Sequence, residues 1–392
     1  MREEVISLLR ELVSVPSPYF EEEQIMDFAC EWFRQRQIPV KVHQYHESKV
    51  TGFRGKNLLV DVDGGQAGPT IHLNGHLDTV KLCEGWSKDP GGELIGERFY
   101  GAGALDMKSG CAAAMAAAGR FLGRHQSFRG RLILSLVSVE EGPYGMGTNA
   151  LIEDGLLPKI DYSIITEPSA GFTGAPFPTM CLGARGGYGL DVEFFGKAAH
   201  AADPSKGVSA ALDAARFVAA LEDVAYTEDE KLGRGAACVV AMNCDGGACS
   251  VPDRASVKLF WHIVRGESPE TIEREIVKAM ERASVRCRYE IHFRQAPSEG
   301  SKGFMPYVTE GKDAFTASFE EAVRAVTGKD PSVSYFQSIG DFNYLGTRVN
   351  APALIFGADG AHYHSADEYV LLDTVVQTAE ILYQFLVRTM IK

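Results

Sequence analysis

Short apolar runs alternate with helical repeats along this chain, and nothing else in the sequence limits its fold so tightly. The clearest strand segments are 57–62, 70–75, 131–139, 161–166 and 352–357. Ahead of them, Val5, Leu8, Leu9 and Leu12 share one helical face, as do Ile25, Phe28, Ala29, Trp32 and Phe33. Segment 108–122 is rich in alanine and reads as a closely packed helix. This alternation predicts an α/β unit, a mixed, mostly parallel sheet flanked by helices. Such sheets carry their sites beyond the carboxyl ends of the strands. His76 and Asp78, Glu140 and Glu141, and Glu167 all fall at those ends.

The pattern changes near residue 180. Leu190 to Phe195 reads as a strand and 207–222 as a helix. Two strands follow, Ala236 to Met242 and Ser256 to Val264, then a helix over 269–284 and a strand from Tyr289 to Phe293. This β-α-β-β-α-β order is the ferredoxin-like signature. Gly-rich and Pro-rich stretches at 171–187 and 296–306 flank it, as domain junctions do. The expected plan is a first domain over 1–182, an inserted α+β domain over 183–296, and completion of the first domain over 297–392. Two domains suit a chain of 392 residues.

A net charge of -13 disfavours nucleic acid as a partner, because that role wants a basic surface. It does not forbid an anionic small substrate, since a local field can oppose the global one. The N-terminus has no apolar core of signal-peptide length, and no apolar run approaches the roughly 18 residues of a membrane span. The eight cysteines never form Cys-x-x-Cys. Cys30, Cys111, Cys181 and Cys238 sit in apolar runs, where a buried free thiol is expected. These features predict a reduced, cytoplasmic protein without structural disulfides or a membrane partner.

Five stretches carry chemistry. In Asn74-Gly75-His76-Leu77-Asp78-Thr79-Val80, the one-residue spacing of His76 and Asp78 puts both side chains on one face of an extended backbone. An imidazole beside a carboxylate suits a metal ligand with an orienting partner. In Gly101-Ala102-Gly103-Ala104-Leu105-Asp106-Met107-Lys108-Ser109-Gly110, Asp106 lies just before a helix and could simply cap it. A phosphate loop is the weaker alternative there, because the glycine spacing fits neither usual fingerprint. Val139-Glu140-Glu141-Gly142 sets two acids at the end of a buried strand. Each raises the other's pKa unless a cation offsets them, so one could bind metal while the other handles protons. Thr166-Glu167-Pro168 adds a further acid. Gly360-Ala361-His362-Tyr363-His364-Ser365-Ala366-Asp367-Glu368-Tyr369 adds late histidines in a loop. Nitrogen and carboxylate donors without thiolate suit zinc, with cobalt or manganese as substitutes. One shared Asp would make a two-metal clamp.

With these five motifs in order, the chain resembles the aminoacylase, acetylornithine deacetylase, succinyl-diaminopimelate desuccinylase and glutamate carboxypeptidase family of co-catalytic zinc metallohydrolases. The resemblance covers nearly the whole chain. It implies a zinc-exopeptidase-like catalytic domain with an inserted lid through which such chains commonly form homodimers. It implies that His76, Asp106 and Glu167 hold one zinc ion and that Asp106, Glu141 and His364 hold the other. Asp78 would orient His76, and Glu140 would be the general base. It favours His364 over His362, because Glu368 follows His364 by four residues.

Gly196-Lys197-Ala198-Ala199-His200-Ala201-Ala202-Asp203-Pro204 matches a lid motif of the same family, whose histidine is thought to reach the neighbouring subunit's site and polarise the scissile carbonyl. Arg265 stands where relatives often clamp a substrate carboxylate. Three places depart from the family pattern. The context Trp261-His262-Ile263-Val264-Arg265 lacks the usual acid, Cys249-Ser250-Val251-Pro252 lacks a common Asn, and Ser109 replaces a usual glycine. The implied activity is hydrolysis of an N-acyl amino acid's amide bond. The alternatives are a dipeptidase or a glutamate-type carboxypeptidase and, more distantly, a non-catalytic binding protein on the same scaffold.

Overall fold

Four strands buried on both faces form the centre of the main sheet. Phe128–Val137, Gly65–His76, Tyr162–Ile165 and Ala353–Ile355 lie side by side in that order, all parallel. Leu73 sits in register with Leu134 on one side and Ile164 on the other. Strands covered on both faces have no polar side to show, so they appear in sequence as unbroken apolar runs. The margins are different. Arg54–Asp63 and Val40–His46 add antiparallel on one side. On the other, Thr179–Ala184 pairs antiparallel with Ala353–Ile355 and Tyr307–Val308, and parallel with Ser332–Phe336.

This computed structural model describes residues 1–247, 249–311 and 313–391. Contacts divide it into two units. The first comprises Met1–Ala184, Tyr307–Phe336 and the chain from Gly340 onward, and the second comprises Arg185–Pro306 with Gln337–Ile339. The second break therefore falls later than the expected 296/297.

Helices cover both faces of the first unit's sheet. Ile164 and Leu354 point into a core shared with helices Arg2–Ser14, Glu23–Gln35, Ser109–Arg124, Ala314–Thr327 and Leu372–Met390. Their chain neighbours Ile165, Ala353 and Ile355 point the opposite way, onto Phe342 and Leu345 of helix Asp341–Thr347. Ala112 to Ala118 are all buried. A helix apolar all round belongs inside, and its small side chains let it pack closely against Leu372–Met390.

Val40–His46 and Thr179–Ala184 are among the strands that escape the apolar-run pattern. Val40–His46 is a half-exposed edge strand that alternates instead. Thr179–Ala184 lies within the stretch taken for a junction, yet all six residues are buried. Pairing with three other strands overrides its weak local signal.

In the second unit a four-stranded antiparallel sheet runs in the order Ala236–Cys244, Arg254–Ile263, Gly186–Phe195, Arg288–Phe293. Ala255, Val257, Leu259, Trp261 and Ile263 face one side, against helices Ala210–Ala220 and Pro269–Arg282. Ala236–Cys244 is an edge strand with most of its residues exposed. Cys238 is exposed for that reason, contrary to its expected burial, whereas Cys30, Cys111 and Cys181 are buried. Among the described residues no helix is long and apolar enough to cross a membrane.

Candidate metal centre

Five strand-end or loop segments of the first unit bring His76, Asp106, Glu140, Glu141, Glu167 and His364 to one place. His76 closes strand Gly65–His76 and is almost fully buried. Its Nδ1 lies 3.0 Å from the carbonyl oxygen of Asp78. A carbonyl only accepts, so Nδ1 carries a proton and Nε2 is the ring atom turned toward the acids. That Nε2 stands 3.4 Å from Asp106 Oδ1, 3.4 Å from Glu167 Oε1 and 3.9 Å from Glu140 Oε2.

Asp78 differs from the expectation in how it orients His76. Its carboxylate is 3.5 Å from His76 Nδ1, and the close contact comes from its backbone. Its two side-chain oxygens instead accept the N–H groups of Glu140, at 3.1 Å, and Glu141, at 2.9 Å. One buried aspartate thus fixes both the imidazole and the turn that carries the paired glutamates.

Asp106 does not cap the helix that follows. Helix Ser109–Arg124 has no side-chain cap, and the two oxygens of Asp106 diverge toward His76 and toward His364 Nε2, the latter at 3.3 Å. Gly103, with φ of 71°, makes the turn before it. The turn is held by Glu368, whose carboxylate accepts the N–H groups of Gly103, Leu105 and Asp106 at 2.8–2.9 Å. The late motif therefore does two tasks, since His364 faces the cluster while Glu368 braces Asp106. His364 Nε2 is 2.8 Å from Glu141 Oε1. His362 turns away and packs against Tyr369.

The donor set fits divalent cations. The triads His76–Glu140–Glu167 and His76–Asp106–Glu141 each bring ligand atoms within 4.8 Å of one another. Among the described residues His76 Nε2 and Glu167 Oε2 are buried without a hydrogen-bond partner, and such orphans need an explanation. Cys111 is adjacent, but its thiol donates to the carbonyl of His76 at 2.9 Å and burial pushes it up to about 12. The donors are therefore nitrogen and oxygen only.

Electrostatics agree. Burial, with the Asp106 charge next, lifts Glu167 to about 8 and Glu141 to about 7. Burial likewise raises Glu140. Desolvation opposes charge on His364, yet hydrogen bonds to Asp106 and Glu141 outweigh it and raise the ring to about 11. His76 is raised in the same way, chiefly by Glu167. The protons on these groups stand where cations would otherwise balance the acids.

Two candidates lie in the second unit. His200 sits on an exposed loop, where its Nδ1 accepts the N–H of Ala202 at 3.1 Å. The loop is braced by the 249–252 stretch that departs from the family pattern, through Ala201 N–H to Cys249 O and Val251 N–H to Ala199 O. Arg265 follows strand Arg254–Ile263, and its guanidinium is bonded to both carboxylate oxygens of Asp229, at 2.7 and 3.1 Å. Its fork is filled by a neighbour in its own unit.

Nitrogen and carboxylate donors at the strand ends of a mixed α/β sheet form a centre of the kind metal-dependent hydrolases use. A sequence model of peptidase family M20/M25/M40 matches residues 72–388, and the chain belongs to that family. It is 28% identical over 395 residues to succinyl-diaminopimelate desuccinylase of Wolinella succinogenes, covering 98% of this chain and 100% of that one. It is 30% identical over 343 residues to the desuccinylase of Rhizorhabdus wittichii, covering 83% of each. Among solved structures, a tripeptidase of Staphylococcus aureus subsp. aureus mu50 superposes with a TM-score of 0.79 at 19% identity, over 98% of this chain and 97% of that one.

Proposed function

We propose that this enzyme removes the acyl group from an N-acyl amino acid, in the manner of a desuccinylase or deacetylase. The convergence of the buried His76, the exposed His364 and four carboxylates in one cluster carries this proposal. The relatives at 28–30% identity are desuccinylases, which favours deacylation over peptide cleavage. The dipeptidase or carboxypeptidase alternative draws on fold alone, through neighbours such as the tripeptidase.

In this proposal His76, Asp106 and Glu167 hold one zinc ion, and Asp106, Glu141 and His364 hold the second. Cobalt or manganese would serve as substitutes. When bound, the pair would supply Lewis acidity and lower the pKa of water at the site. Glu140 is the general base. It approaches His76 Nε2 less closely than Asp106 or Glu167 does, and raised carboxyls suit proton transfer near neutrality. Glu140 takes the proton of the attacking water and passes it to the leaving amine nitrogen. Asp78 keeps His76 and the Glu140–Glu141 turn in place during this exchange.

The second unit is proposed as a lid. His200 of the partner subunit would donate from Nε2 to the carbonyl oxygen as negative charge develops there. Homodimerisation through the edge strand Ala236–Cys244 accords with its exposed Val240 and Met242. Arg265 stays the candidate for the substrate carboxylate, with Asp229 as the competitor for its guanidinium. A reducing cytoplasmic setting accords with eight free thiols, four of them exposed.

The test is a panel of N-acetyl, N-succinyl and glutamyl-linked amides, with and without chelator. Cleavage of an acyl amino acid that chelator abolishes is expected. Cleavage of peptides alone would move the assignment to the peptidase alternative. Glu140→Gln should lose at least about 100-fold in kcat, the scale of a general base, while metal content stays intact. Wild-type turnover by that variant would remove Glu140 from the role.

A further inference from the structure

Glu140 follows a residue in an unusual conformation. Val139 has φ of 55°, in the left-handed region where a β-branched residue is a genuine outlier. Strain of this kind persists only where the surroundings over-determine it. Here they do. Four consecutive N–H groups each donate to a side-chain oxygen rather than to another strand. Ser138 donates to Asn57 Oδ1 at 3.1 Å, Val139 to Glu22 Oε1 at 3.0 Å, and Glu140 and Glu141 to Asp78 at 3.1 and 2.9 Å. The carbonyl of Val139 accepts the N–H of Met146 at 3.0 Å. A buried turn has thus traded its ladder partners for a template of side chains.

Glu22 is the part of that template aimed at the strained residue. It lies between Glu21 and Glu23, which are exposed, yet is itself only 3% exposed. It immediately precedes helix Glu23–Gln35 but does not cap it with its side chain. Its Oε1 accepts the N–H of Phe20 at 3.0 Å and reaches across 117 residues of sequence to Val139.

We infer that Glu22 is a positioning residue for the hydrolysis: by accepting the Val139 N–H it holds the left-handed turn that directs Glu140 into the metal cluster. This rests on Glu140 being the general base. Among the described residues Glu22 Oε1 accepts from Phe20 and Val139 and not from a proposed metal ligand, so it acts through Val139. The acceptor geometry carries the role, not the charge. Burial, aided by the Asp78 charge, lifts the Glu22 carboxyl to about 8, so near neutrality it is mostly protonated and glutamine matches it closely. Glu22 also lines a cleft of about 870 Å³ with Phe20, Tyr45 and Ser138. Shortening it removes the acceptor beside that cleft, so Tm is measured with activity to separate loss of the turn from loss of the fold.

The test compares Glu22→Ala, Glu22→Gln and Glu140→Gln in the full-length, zinc-loaded chain, using the fastest substrate of the amide panel. For each, kcat, KM, bound metal and Tm are measured. Glu22→Ala is expected to lower kcat by about 10- to 100-fold, the usual cost of removing a supporting hydrogen bond at such a site, with KM unchanged. Glu22→Gln, which keeps the acceptor, should recover most of that kcat. Wild-type kcat in Glu22→Ala would overturn the inference. So would equal losses in the Ala and Gln variants, or a fall in kcat that only tracks the folded fraction. The Glu140→Gln arm separates the two levels. If that variant stays active, the general-base assignment fails. If it is inactive while Glu22→Ala turns over normally, the positioning role alone fails.

Discussion

Asp106, Glu140, Glu141 and Glu167 converge on two imidazoles, the buried His76 and the exposed His364. Without cations, the surplus of acids holds protons on His76 and His364 and on the raised glutamates. Metal uptake must displace those protons. Titration calorimetry of the metal-free protein with zinc, in buffers of different ionisation enthalpy near pH 7, should therefore show net proton release. An enthalpy independent of buffer would contradict this protonation pattern. Asp78 offers a second residue-level prediction. Asp78→Ala leaves the Glu140 and Glu141 N–H groups without acceptors, so activity should fall by about 10- to 100-fold. Unchanged steady-state kinetics would show that the turn does not need the clamp.

Among the elements, the strand ends were the legible part. Strands covered on both faces announced themselves as apolar runs, and His76, Glu140, Glu141 and Glu167 stand just past them. The supports were not legible. Glu22, Glu368 and Asn57 each hold backbone N–H groups remote in sequence, and a side chain's distant backbone partner leaves no local periodicity. Only the paired appearance of Glu368 with His364 hinted at one of them. The exposure of Cys238 and the pairing of Arg265 with Asp229 were hidden for related reasons. Whether an apolar strand is central or at an edge, and whether an arginine is already taken by an acid such as Asp229, depends on tertiary pairing. The edge strand itself is testable. Val240→Lys places a charge on exposed apolar surface, a device that blocks edge pairing. Sedimentation should show a wild-type dimer and a weakened one in this variant, and a wild-type monomer would remove the dimer proposal.

For the whole molecule, buried titratable groups set the dependence of stability on pH. Burial raises Glu22 and Glu368 each to about 8. Between the ordinary carboxyl range and that value the folded state holds more protons than the unfolded chain, so stability falls as pH rises. His72 and His262, lowered by burial to about 3 and about 4, act in the opposite sense below about 6.5, the ordinary imidazole value. Above it Lys108, lowered by burial to about 7, is a single opposing group among the described residues, outnumbered by the raised Glu22, Glu368, Glu167 and His364. Thermal unfolding of the metal-free chain should therefore show Tm decreasing from about pH 6.5 to about pH 8. A rising Tm across that window would contradict the burial of these protons. Zinc should flatten the decline, because ion binding to the folded state adds stability that grows as the ligands deprotonate.

The account depends on one cluster holding two cations. Anomalous diffraction at the zinc edge from zinc-loaded crystals measures this directly. Two peaks are predicted, one among His76, Asp106 and Glu167 and the other among Asp106, Glu141 and His364, with Asp106 between them. An absence of peaks there, or zinc bound only elsewhere on the chain, would contradict it.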